Sequence, residues 1–395
     1  MRLSRHCLVA ATAFLAALGA VNGCAADGDD GAATGAPITP SAVSCIPGLE
    51  LAPLVPDVGV LGGVNLDWEA NTITSYAQRL GRTPAVVVNF VALPLSREAE
   101  AHIDASVAQA AEAGVAIMLT VEPVEGLASI TQDVADDLAQ DLRRWNDAGV
   151  PVYLRFAHEM NGSWYAWGQQ PSAYVQTFRK VAAAVHATAP RTAMVWAPNY
   201  GGGYPFVGGA HEIRAGTPAA ALLDTDGDGR LTLADDAYAP YYPGDDVVDW
   251  AGLSLYHWGA AYPWGENEIP EPGKLAAMLT GTYYGTVGDE RAVADFADVY
   301  GRQRGRPLAL TETAAFFAPD AGGSPVAIKA AWAAQVYDDD LRERVPSLRM
   351  INWFEWDKHE AEVDAQVDWT ATSDPDVRSA HLDALPDWLR FASDC

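Results

Sequence analysis

Between residues 57 and 354, eight short runs rich in Val, Ile and Leu alternate with longer amphipathic segments. The runs fall at 57–62, 85–91 (Ala-Val-Val-Val-Asn-Phe-Val), 115–121 (Val-Ala-Ile-Met-Leu-Thr-Val), 151–157, 192–197, 249–256, 307–312 and 349–354. Helical patterns are read at 70–80, 97–113, 131–148, 171–188, 288–304, 325–343 and 376–392, and Pro171 and Pro190 bracket the fourth of them. Such alternation marks repeated βα units, in which a crossover helix returns the chain to lay the next strand parallel to the last. Eight parallel strands close most naturally into a (β/α)8, or TIM, barrel, and 395 residues leave room for insertions. A doubly wound open sheet is the alternative, but no Gly-x-Gly-x-x-Gly follows the first run. No internal repeat or second domain boundary is visible, so residues 45–395 are read as one α/β domain.

The N-terminus reads as an export signal over 1–23, with Arg2 and Arg5 ahead of an apolar stretch from Leu8 to Val21 that is short for a membrane span. Cys24 follows Val21-Asn22-Gly23 and is either the lipidated first residue of a bacterial lipoprotein or a small residue near an ordinary cleavage site. Residues 24–44 are then a flexible linker. The expected location is extracellular or at the cell surface. In that oxidising setting Cys45 and Cys395, at the two ends of the domain, either pair as a disulfide or remain free thiols.

Acidic side chains outnumber basic ones 52 to 25, giving a formal charge of −27, which removes any electrostatic reason to bind nucleic acid or an anionic membrane face. The 13 Trp and 15 Tyr of so acidic a chain instead suit a neutral ring-shaped ligand that stacks on aromatic faces. A monomer is expected.

The longest irregular stretch, 198–248, contains Asp224-Thr-Asp-Gly-Asp-Gly-Arg-Leu-Thr-Leu-Ala-Asp235. Asp224, Asp226, Asp228 and Asp235 stand at positions 1, 3, 5 and 12 of an EF-hand-type loop, Gly229 at 6, the Arg230 carbonyl at 7 and Thr232 at 9. A structural Ca2+ is expected there, with an acidic turn that binds nothing as the alternative.

Barrel enzymes draw their reactive groups from the C-terminal ends of the strands. Here those ends carry Glu122, the block His158-Glu159, Asn199, Tyr256-His257-Trp258, Glu312 and Trp353. Two glutamates facing each other across a barrel mouth suit glycoside hydrolysis, one protonated to donate to the leaving oxygen and one ionised.

The stretch Arg155-Phe-Ala-His-Glu-Met-Asn-Gly-Ser-Trp164-Tyr-Ala-Trp-Gly168 resembles the signature of glycoside hydrolase family 26, which contains β-mannanases and enzymes acting on mixed-linkage β-glucan or β-1,3-xylan. Trp-Ala-Pro-Asn199, Tyr-Tyr-Pro-Gly-Asp245, Gly-Leu-Ser-Leu-Tyr256 and Thr-Glu312-Thr resemble further blocks in the same order. The resemblance implies a retaining endo-β-glycanase that needs no cofactor for its chemistry, with Glu159 as acid/base and Glu312 as nucleophile. It also implies that Arg155 and His158 flank the carboxylates, that Tyr256 donates to Glu312, and that Trp164 and Trp353 wall the sugar site. Glu122 and Asn199 are candidates for binding sugar hydroxyls, while Trp167, Trp196 and Trp258 are read equally as platforms or as core. Mannanases of the family commonly carry Arg-Pro before the His-Glu block. Phe156 and Ala157 stand there in this chain, a departure that bears on substrate rather than on mechanism. β-1,4-Mannan is the first substrate expected, and a non-catalytic carbohydrate-binding barrel is the alternative of a different class.

Overall fold

The computed structural model describes residues 46–259, 266–285 and 288–394. The expected signal, Cys24, the linker and both Cys45 and Cys395 lie outside them. Eight strands, β1 (Val60–Leu66), β2 (Val86–Ala92), β3 (Ala116–Glu122), β4 (Val152–Phe156), β5 (Thr192–Trp196), β6 (Trp250–Ser254), β7 (Leu308–Thr313) and β8 (Leu348–Glu355), pair in sequence order, all parallel, and β8 returns to pair with β1. The barrel expected from the alternation is therefore closed.

Helices α1 (Ile73–Leu80), α2 (Arg97–Ala113), α3 (Gln132–Asp147) and α4 (Pro171–Thr188) follow the first four strands. Each start has a local cause. Thr72, Ser96 and Thr131 turn side-chain oxygens onto the free N–H groups of the first turn, and Pro171 occupies the position where a missing N–H costs nothing.

Beyond β5 the expected pattern needs correction. Two short helices, α5 (Pro218–Leu223) and α6 (Lys274–Leu279), lie in long insertions, and the helix expected at 288–304 is reduced to a π-helical stretch, Ala297–Gln303. The pattern at 325–343 divides into α7 (Pro325–Val336) and α8 (Asp339–Arg344), because Asp338 starts a new helix by accepting the Asp340 N–H at 2.9 Å. After β8 come an antiparallel hairpin, β9 (Asp357–Glu360) with β10 (Ala365–Asp368), and α9 (Pro375–Ala384). Pro386 lies just beyond α9, and Leu389–Arg390 form β11 against β1. The first strand also starts later than expected, since Gly59, in the left-handed region at φ 79°, still belongs to the turn.

Inside the barrel, Leu61, Val86, Val88, Met118, Tyr153, Val195, Trp250 and Met350 interdigitate with Leu49 and Leu54 from the segment ahead of β1. The Tyr153 hydroxyl donates to the Leu54 carbonyl at 2.6 Å and the Trp250 indole to Pro53 at 2.5 Å. This apolar plug fills the N-terminal end, so the opposite mouth is where polar side chains can gather. The block Tyr-Tyr-Pro-Gly-Asp245 serves the closed end. Tyr242 donates to Asp245 and packs on Trp196, and Asp249, just after the block, accepts the Met194 N–H at 2.7 Å.

Candidate active site

Strand parity decides which side chains enter the mouth. On β4, Tyr153 and Arg155 point inward, while Phe156 packs outward on Tyr174 and Phe178 of α4. Arg155 is wholly buried; its Nη1 pairs with Glu312 Oε1, and its Nη2 donates to Ser254 Oγ at 2.7 Å. Glu312 gets there by a break in register. Leu253 faces Leu310 but Ser254 faces Glu312, so Thr311 is an extra residue on β7. That bulge lets Thr311 and Glu312 both turn inward, since Thr311 is what a side chain at the inward-facing Gly252 would strike.

Glu312, 6% exposed, also accepts the Tyr256 hydroxyl on Oε2 at 2.5 Å. Burial and the adjacent carboxylate push the Tyr256 phenol well above its usual range, so it remains a donor. Two donors, one of them a guanidinium, thus hold Glu312 as an acceptor.

Glu159 stands just past β4 with its backbone in the left-handed region at φ 52°, its N–H donating to the Ala197 carbonyl at 2.8 Å. This conformation is sparsely populated for a residue with a Cβ, and the neighbouring strand holds it there. Trp164 Nε1 donates to Glu159 Oε2 at 3.1 Å. Loss of hydration, followed by the Glu312 charge, raises Glu159 from the ordinary carboxylate range to about 7, against the pull of Arg155, Ser254 and Trp164. Single carboxylate oxygens of Glu159 and Glu312 and one ring nitrogen of His158 all lie within 4.8 Å of one another. His158 is buried among Phe90, Tyr165 and Trp167, and burial together with Arg155 keeps its ring neutral. Glu122, at the end of β3, shares this field. Burial and then Glu312 raise it to about 7 as well.

Trp164 lies at the mouth with its ring edge-on to Phe206 at 5.1 Å. Gly162 makes room for it, since a Cβ there would stand 2.3 Å from the indole. Trp353 requires a correction. It is 1% exposed, packs on His381 of α9 at 4.7 Å and donates to the Trp369 carbonyl at 3.1 Å. On β8 the inward positions are Met350, Asn352 and Phe354, so Trp353 points toward the helices. Phe354 and Trp356 take the mouth position instead, their rings stacked at 5.9 Å, with Trp356 bonded to Asn65 on β1. Sequence reasoning missed both; counting parity from Asn352 would have found Phe354.

Trp196 and Trp167 are core, the latter stacked on Tyr165 at 4.4 Å, whereas Trp258 is half-buried beside Trp369. Asn199 is held at the mouth through its backbone, which exchanges two hydrogen bonds with the side chain of Asn161 at 2.7 and 2.8 Å. Asn161, unremarked in the sequence, ties the β4 and β5 loops together.

In the insertion after β5, Asp224, Asp226 and Asp235 bring carboxylate oxygens within 4.8 Å of one another. Asp235 is 2% exposed, and Asp224 Oδ1 is buried without a hydrogen-bond partner among the described residues. Gly229, at φ 84°, makes the sharp turn and donates to Asp224 Oδ2 at 2.9 Å. Asp228 stands outside the cluster and accepts the Arg230 N–H, while Thr232 Oγ1 accepts the N–H of Ala234. The donor set is all oxygen, which suits a hard divalent cation.

The family model of glycosyl hydrolase family 26 matches residues 106–201, the segment carrying β4, Arg155, His158 and Glu159. Over that segment the chain is similar to glycosyl hydrolase family 26. The chain is similar to endoglucanase H of Acetivibrio thermocellus, 24% identical over 69% of the chain and 24% of that protein. It is also similar to β-1,3-xylanase TXYA of a Vibrio species, 28% identical over 51% of the chain and 39% of that protein. It therefore spans well under half the length of these curated relatives. Among solved structures, an endo-β-1,4-mannanase double mutant from Cellulomonas fimi shares the fold, with a TM-score of 0.55 at 17% identity over 90% of this chain and 78% of that one.

Proposed function

We propose that this chain is a retaining endo-β-glycanase acting on a neutral β-linked polysaccharide. The observation that carries the reading is the carboxylate spacing. The nearest oxygens of Glu159 and Glu312 fall within 4.8 Å, close to the ~5–5.5 Å of retaining glycosidases and well short of the ~6.5–9.5 Å that leaves room for an inverting water.

Glu312, held by Arg155 and Tyr256, attacks the anomeric carbon as the glycosidic C–O bond breaks and Glu159 gives its proton to the leaving oxygen. Glu159 then takes a proton from water, which displaces Glu312 and restores both groups. The Trp164 N–H fixes Glu159, and Trp164, Phe354 and Trp356 offer aromatic faces to the sugar rings.

β-1,4-Mannan is the first substrate proposed, from the Arg155–Gly168 signature. The endoglucanase and β-1,3-xylanase relatives, together with Phe156 and Ala157 ahead of His158, favour β-glucan and β-1,3-xylan as the second reading. Hydrolysis of galactomannan, glucomannan, lichenan and β-1,3-xylan followed by proton NMR tests both points. The first-formed reducing end is β on whichever glycan is cleaved, and an initial α product would exclude the double displacement.

A structural Ca2+ held by Asp224, Asp226 and Asp235 is proposed alongside, with the Arg230 carbonyl and Thr232 as further oxygens from the loop spacing. A ligand bound only by the folded state stabilises by about 2.7 kcal/mol at a hundredfold excess over Kd. Chelation is therefore expected to lower Tm by roughly 5 °C, and an unchanged melting curve would remove the cation. The N-terminal residues support export of the enzyme, which secretion of the full chain from a bacterial host would test.

A further inference from the structure

The insertion that carries the acidic loop also supplies the ring that braces the general acid. Just past Asp235, the Asp236 carboxylate accepts the N–H groups of Tyr238 and Ala239 at 2.8 and 2.9 Å, and its own N–H donates to the Thr225 hydroxyl at 2.7 Å. The exit of the loop is thereby closed onto its entrance. Tyr238 is fully buried, and its hydroxyl accepts the Gly201 N–H at 2.8 Å. Contact there is tight, because a Cβ at Gly201 would sit 3.0 Å from the Cβ of Ala237.

Gly201 opens a single turn that leads to Tyr204 and Phe206. Tyr204, 3% exposed, sets its ring edge-on to Phe206 at 6.0 Å, and its hydroxyl has no hydrogen-bond partner among the described residues although it lies within the electrostatic field of Asp235 and Asp236. Phe206 packs on Trp164, its carbonyl accepts the Ser163 hydroxyl, and Trp164 reaches Glu159. An unbroken set of contacts thus runs from the loop exit to the acid/base oxygen.

We infer that a divalent cation held by Asp224, Asp226 and Asp235 positions Glu159 for proton donation by clamping the Gly201–Phe206 segment against Trp164. This rests on the Ca2+ reading above. Without the cation, three carboxylates within 4.8 Å of one another repel and spread the loop, Tyr238 loses its hold on Gly201, and Phe206 withdraws support from Trp164. With it, the repulsion is cancelled and the segment is fixed. Phe206 and Tyr204 are positioning residues in this scheme, since neither reaches the reacting atoms.

Leaving-group chemistry separates this effect from general stabilisation. A polysaccharide leaves as a poor, basic alkoxide and needs the proton from Glu159, whereas dinitrophenolate leaves without one. The full chain is stripped with EDTA, kept at a temperature where circular dichroism shows it folded, and titrated with CaCl2. Calorimetry records binding, and kcat/KM is measured on the cleaved polysaccharide and on the 2,4-dinitrophenyl glycoside of the same sugar.

Polysaccharide kcat/KM is expected to rise about tenfold, a fraction of what a general acid contributes, with a midpoint matching the binding isotherm. The dinitrophenyl substrate changes less than twofold. Phe206→Ala keeps the isotherm but loses the calcium effect on the polysaccharide. Calcium that binds while leaving both rates unchanged overturns the coupling and spares the metal site. Equal change in both rates also overturns it, since calcium then acts on the fold alone. No heat of binding removes the metal site and the coupling with it, whereas hydrolysis of neither substrate at any calcium level overturns the glycanase reading.

Discussion

Glu312→Ala is expected to abolish glycan hydrolysis, with kcat falling on the order of 10^6-fold, as when a covalent nucleophile is removed from other hydrolases. The change also leaves the buried Arg155 guanidinium without its carboxylate, which costs about 3–5 kcal/mol and can lower the yield of folded protein. Glu312→Gln separates the two effects, because its amide oxygen still accepts from Arg155 while its nucleophilicity is gone. In the alanine variant azide takes the vacated place, attacks the anomeric carbon of an aryl β-glycoside and yields the α-glycosyl azide. Near-wild-type activity in both variants, or a β-azide from the alanine variant, would remove Glu312 from the nucleophile's role.

For Glu159→Ala the expected fall is about 10^2–10^4-fold in kcat/KM on polysaccharide, with kcat/KM on a dinitrophenyl glycoside, which reports only the first step, largely retained. The pH profile tests the same assignment independently. Glu159 must carry a proton to act as acid, and burial beside Glu312 holds it at about 7, so wild-type kcat/KM on polysaccharide declines as pH rises through that value. In the alanine variant with the activated substrate this alkaline limb disappears. Equal losses on both substrates, or a limb that persists, would place the acid elsewhere.

Much of the site was legible because barrel strands advertise themselves by composition and their C-terminal ends carry the reactive groups. Glu159, Glu312, Arg155, His158 and Tyr256 all meet where their strand-end positions imply. The errors have a common origin. Trp353 was read from its place at a strand end, yet side chains on a strand alternate between barrel and helices, and only Asn352 pointing inward shows that Trp353 must point outward. Phe354 and Trp356 were overlooked for the same reason. Asn161, whose side chain clamps the backbone of Asn199, looked like one polar residue among several in its block.

Eight βα units, a pair of glutamates on β4 and β7 and an acidic loop of EF-hand spacing were determined by the order of residues alone, because local periodicity and ligand spacing need no knowledge of distant contacts. The tertiary structure decided everything that depends on two segments meeting. A bulge between Leu253 and Ser254 brings Glu312 inward, a left-handed backbone at Glu159 is imposed by the Ala197 carbonyl, and the Gly201–Phe206 segment lies between the acidic loop and Trp164. Each is a register or packing choice set by residues tens of positions apart, and a one-residue change in register would turn a side chain such as Glu312 from the mouth to the helices.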